Sequence, residues 1–178
     1  HPLKHAPQLD RFLTEVGPAD HVVANGDYSC DTGFVGVSDP AAGQSARECL
    51  GKIRARFNGG AWFTIGDHEL GKLSFLGGAG GMLLASWWFA REQLQLQPFW
   101  QFNVGRYTLI GVTSSLIALP ANQPDTLPEE WPEWLKLREA HLNEIRHAFD
   151  ALQPDQRVIL FCHDPTALPF LWREEAVR

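Results

Sequence analysis

Three apolar runs in this 178-residue chain each break into a polar turn, and that recurrence limits the fold more than any other feature. His21-Val22-Val23-Ala24 leads into Asn25-Gly26-Asp27, and Ala61-Trp62-Phe63-Thr64-Ile65 leads into Gly66-Asp67-His68-Glu69. Arg157-Val158-Ile159-Leu160-Phe161-Cys162 leads into His163-Asp164-Pro165. Short apolar runs bounded by glycine, proline and acids read as buried strands. Helical periodicity fills the intervals. Leu9, Phe12, Leu13 and Val16 predict a helix that stops at Gly17-Pro18. Ala42, Ala46, Cys49, Leu50, Ile53 and Phe57 predict a second, with Ser38 or Asp39 as cap and Pro40 in its first turn. Leu135, Leu142, Ile145, Phe149 and Leu152 predict a long amphipathic helix over 133–152. Strands that alternate with helices in this way make an α/β fold.

The middle of the chain breaks the alternation. Phe99–Val104 and Tyr107–Val112 flank Gly105-Arg106, a two-residue connection with glycine where a type II′ hairpin requires it. The four prolines between Pro120 and Pro132 predict a surface loop. The uncharged stretch from Leu73 to Ala90 contains Gly77-Gly78-Ala79-Gly80-Gly81, which would weaken a helix by about 1 kcal/mol per glycine. It reads as a glycine-rich loop, most simply a plain connection, leading into a short buried segment rather than as a membrane span.

Such an arrangement needs one substantial core, and 44% hydrophobic residues against 20% charged supply it within a single domain over 1–178. The formal net charge of −6 argues against a basic face for a nucleic-acid backbone, so nucleic acid is not the expected partner. Cys30, Cys49 and Cys162 cannot all pair within the chain, which points to a reducing, cytoplasmic setting. The opening His1-Pro2-Leu3-Lys4-His5 lacks the charged-then-apolar layout of an export signal.

In open α/β sheets, side chains at the carboxyl ends of neighbouring strands meet in one crevice. Asp27, Asp67, His68 and His163 are therefore candidates for one site. Carboxylate and imidazole together suit Zn, Mn or Fe where a site also keeps positions open to substrate. In order, spacing and preceding strands, Val22–Asp27, Gly66-Asp67-His68-Glu69 and Leu160–His163 resemble three motifs of the calcineurin-like metallophosphoesterases. These are Gly-Asp-x-x-Asp, Gly-Asn-His-Glu/Asp and a lone His after a strand.

The resemblance implies a four-layer α/β/β/α sandwich with mixed sheets and two divalent metal ions, Mn, Fe or Zn. It implies hydrolysis of a phosphomonoester or phosphodiester, on a small molecule or another substrate, by a hydroxide that bridges the metals. Carried over by position, Asp27 would bridge the two ions, Asp67 and His163 would bind the second, and His68 would stabilise the transition state or protonate the leaving oxygen. His1 lies about where the histidine of the leading Asp-x-His motif belongs. Asp31 would stand behind the ligands, Glu69 would support His68 or the loop rather than bind metal, and Lys72 would meet a substrate phosphate. Asp67 stands where the family usually has Asn, which adds a negative charge and changes metal preference. No Gly-His-x-His follows His163. The resemblance thus implies a domain interrupted at both ends, short of its C-terminal strand or strands, with a non-catalytic binding or structural domain of the same fold as the alternative.

The remaining notable residues have simpler readings. Cys162 reads as a packed thiol, because adjacent strand residues face opposite ways. Trp87-Trp88-Phe89 and Trp131-x-x-Trp134 read as core packing and a loop staple rather than a recognition surface. His21, His141 and His147 read as ordinary loop histidines.

Overall fold

The computed structural model of the protein describes residues 6–28, 40–71 and 82–178. His1, Asp31, Lys72, the cap at Ser38 or Asp39 and the glycine-rich stretch of 77–81 lie outside the described residues. Those described form a mixed α/β structure of seven α-helices and two small sheets.

Helix α1 (Ala6–Glu15) packs across α2 (Pro40–Phe57), and Arg56 donates to the Leu13 and Val16 carbonyls, which helix geometry leaves open at the end of α1. Leu13 is buried, whereas Phe12, expected on the same inward face, is 55% exposed. Between these helices runs β1 (Val22–Ala24), and after α2 comes β2 (Ala61–Phe63), which pairs with β1 in parallel. Both strands are shorter than their apolar runs suggest. The buried face of α2 carries Ala42, Ala46, Leu50, Ile53 and Phe57, the expected set, with Cys49 half-buried beside them.

Met82, Ser86, Trp87 and Ala90 are buried in the segment that holds α3 (Leu84–Trp88), as the expected short buried stretch requires. A π-type turn, Phe89–Gln93, continues it. Strands β3 (Phe99–Val104) and β4 (Tyr107–Val112) then form the hairpin that Gly105-Arg106 predicts, with Val104 opposite Tyr107. Gly105 has φ +56° while Arg106 keeps a negative φ, the pattern of a II′ rather than a I′ turn.

The proline-rich stretch is not the surface loop its composition predicts. After α4 (Ser114–Ile117), α5 (Leu119–Asn122) and a 3₁₀ turn at Gln123–Asp125 occupy it, and Leu119 and Asn122 are buried. Pro120 and Pro124 each sit at the start of a helical turn, where a missing N–H costs nothing. Helix α6 (Trp131–Asp150) buries Trp134, His141, Leu142, Ile145 and Ala148. Leu135, expected inward, is 44% exposed, because Trp134 takes the core position against Trp87 in an edge-to-face contact. Strand β5 (Arg157–Phe161) pairs in parallel with β4, giving a mixed sheet of order β3-β4-β5, and α7 (Leu168–Leu171) follows.

The two sheets meet through aromatic side chains. Trp62 stacks on Phe102 at 4.2 Å, and Trp100 Nε1 donates to the Phe63 carbonyl at 2.9 Å. No helix among the described residues is long and apolar enough to cross a membrane.

Candidate metal centre

The carboxyl ends of β1, β2 and β5 converge, one strand from the second sheet against two from the first. Asn25, just past β1, makes the junction: its Nδ2 donates to the Cys162 carbonyl at 2.9 Å and its Oδ1 accepts from Thr64 Oγ1 at 2.9 Å. Its own carbonyl lies 2.6 Å from His163 Nδ1. A carbonyl can only accept, so Nδ1 carries the proton and Nε2 is left for other partners.

That Nε2 lies 3.2 Å from Asp27 Oδ2 and 3.2 Å from Asp67 Oδ1. Asp27, Asp67 and His163 are the one set of three His, Cys, Asp or Glu side chains among the described residues that is close enough to hold a metal ion. Their ligand atoms lie within 4.8 Å of one another, and all three are half-buried. Two carboxylates and an imidazole with its far nitrogen fixed on a carbonyl form a donor set that fits a divalent cation. With no ion between them, hydrogen bonds to Asp27 and then Asp67 push His163 up to about 11. Burial alone would raise Asp67, but its hydrogen bond to His163 and the nearby His68 and His163 charges outweigh this and hold it below the usual carboxylate range. A cation entering the group would take the place of the His163 proton.

The backbone at Asp27 is unusual for a non-glycine residue. Its φ is +59°, after Gly26 at +87°, a conformation that costs about 1–3 kcal/mol where the surroundings impose it. Glu69 imposes it. Its fully buried carboxylate accepts from Asp27 N at 2.9 Å, Tyr28 N at 2.8 Å and Gly66 N at 2.8 Å, and so ties both Gly-Asp turns together. Burial, and then the Asp27 charge, push the Glu69 carboxyl up against the pull of these amides. The two turns touch so closely that a Cβ on Gly26 would stand 2.6 Å from His163 Nδ1, and one on Gly66 would overlap Asp27 Oδ1. The Tyr28 hydroxyl closes the back of the junction, 2.7 Å from the Thr64 carbonyl and 2.9 Å from that of Ala24.

His68 lies beside the three-donor group. Its main-chain N–H donates to Asp27 Oδ1 at 3.3 Å, its Nε2 is 3.9 Å from Asp27 Oδ2, and its Nδ1 is buried without a hydrogen-bond partner. Asp27, Asp67, His68, Glu69 and His163 are thus gathered in one place. Asn25 and Tyr28 were not anticipated. Asn25 had a signal in the sequence, as the first polar residue after an apolar run, but Tyr28 had none.

No family model, no curated protein and no solved structure matches the chain. The functional reading therefore rests on the residues and their geometry.

Proposed function

We propose that the protein is a metal-dependent phosphoesterase domain of the calcineurin-like kind, built as an α/β/β/α sandwich and acting on a phosphomonoester or phosphodiester. The observation that supports this is the meeting of Asp27, Asp67 and His163 at three strand ends, in the chain order of that family's motifs. Divalent cations bound there would neutralise phosphate oxygens and activate the attacking water.

Each residue of the chain then has a task. Asp27 and Asp67 supply carboxylate oxygens, and His163 supplies Nε2, aimed by its Nδ1–H bond to the Asn25 carbonyl. Glu69 fixes the direction of Asp27 through the main chain. His68, next to Asp27 with an uncommitted ring, holds a proton for the leaving oxygen. In this reading His1 belongs to the site of a further ion, Asp31 supports it and Lys72 meets the substrate phosphate.

Calorimetric titration with Mn²⁺, followed by assays on p-nitrophenyl phosphate and bis(p-nitrophenyl) phosphate, tests the proposal. Mn²⁺ should bind, and His163→Ala should weaken binding by at least about tenfold. His68→Ala should keep the metal and lower hydrolysis by about 10²–10⁴-fold. Binding without hydrolysis of either ester selects the non-catalytic alternative, and no binding rejects the metal reading.

A further inference from the structure

A second place in the molecule, apart from the three-donor group, is short of hydrogen-bond acceptors. Among the described residues five buried side-chain nitrogens lack a partner, and three of them, Trp87 Nε1, Arg91 Nε and His141 Nδ1, belong to side chains that line one cavity of about 290 Å³. Phe99 and Leu116 form part of its apolar wall, and Glu144, 54% exposed, stands on the solvent side.

All three orphaned groups are donors. Indole and guanidinium nitrogens have no acceptor capacity. His141 Nε2 accepts the Thr113 amide at 3.1 Å, which places the ring proton on Nδ1. Burial pushes His141 below its ordinary pKa, so the neutral ring is the form present. Glu144 Oε2 is 3.7 Å from Nδ1, too far for a hydrogen bond. Arg91 makes no ion pair among the described residues; its guanidinium sits 5.8 Å from the Trp87 ring centroid. It is carried on the π-type turn Phe89–Gln93, a rare backbone form that is frequent at functional sites.

We propose that this cavity binds a small organic carboxylate, held by Arg91, Trp87 Nε1–H and His141 Nδ1–H, with its apolar part against Phe99 and Leu116. A water set among these donors must also find acceptors for its own two hydrogens, which the indole and the guanidinium cannot supply. A doubly charged oxyanion also fits poorly, since the single Arg91 charge is opposed by Glu144. The three nitrogens are closed to solvent in the structure, so a carboxylate reaches them only where the half-exposed Arg91 side chain shifts.

Calorimetric titration of the whole chain with sodium benzoate tests the site, with benzyl alcohol and sodium sulfate as comparison probes. Benzoate should bind more tightly than either, and Arg91→Met should weaken it by about tenfold, the loss expected for one charge-assisted hydrogen bond. In the unaltered protein, the His141 Nδ1 proton resonance should move as benzoate is added, a reading that needs no variant to fold. No benzoate binding, equal binding to Arg91→Met, an unmoved His141 resonance, or equal binding of sulfate or benzyl alcohol overturns the proposal.

Discussion

Glu69 is the residue on which the two Gly-Asp turns depend. A carboxylate that accepts three main-chain amides replaces the water those amides lose on burial, and it holds Asp27 in a conformation that Asp alone would leave. Gln at this position keeps one acceptor oxygen and turns an NH₂ toward amides that need acceptors. Glu69→Gln should therefore cost about 2–3 kcal/mol in urea unfolding and, with Asp27 no longer fixed, weaken Mn²⁺ binding by about tenfold or more in calorimetry. Unchanged unfolding and Mn²⁺ titration would deny Glu69 this role. The sequence shows Glu69 as a neighbour of His68, which made it a supporting candidate. It does not show that two of its three amide partners lie 41 and 42 residues away.

Among the elements, α6 and β4 are joined by His141. The ring is 2% exposed on the helix that periodicity predicts, so His141 is not the ordinary loop histidine it reads as, and Nε2 takes the amide of Thr113, the first residue after β4. Protonation removes the lone pair that this amide uses. Because burial lowers the folded pKa below the ordinary 6.5, the unfolded chain takes the proton first. The stabilisation is therefore complete above that value and is lost as pH falls below it toward the folded pKa. Urea midpoints should decline between about pH 7 and 5, and His141→Gln should flatten that slope; an equal slope in the variant would place the titration elsewhere. The elements themselves differ in how far local pattern exposes them. The β3-β4 hairpin is legible to the residue because its two-residue turn fixes the register. The helical turns of α5 are not, since proline marks a loop and a helix start alike and only the burial of Leu119 separates them.

At the scale of the whole molecule, the site exists because two sheets are held together. Trp100 lies against Trp62, Phe102 and Phe161 and donates to the Phe63 carbonyl, while Asn25 links the ends of β1 and β5. Trp100→Ala should destabilise the protein by about 3–5 kcal/mol, the range for removing a large buried aromatic, as read in urea unfolding. It should also weaken Mn²⁺ binding without touching a ligand, because His163 comes from one sheet and both carboxylates from the other. By itself the sequence determined the long helices, the β3-β4 hairpin, and that each of three strands delivers an acid or imidazole at its carboxyl end. Periodicity and turn residues act over a few positions, so these features are written locally. Only the tertiary structure decided which groups share a space. It put His163 Nε2 between Asp27 and Asp67, gave Glu69 its three amides and left three buried donors without acceptors on side chains that line one cavity. Each of these depends on contacts between residues tens of positions apart, whose distances are set by packing.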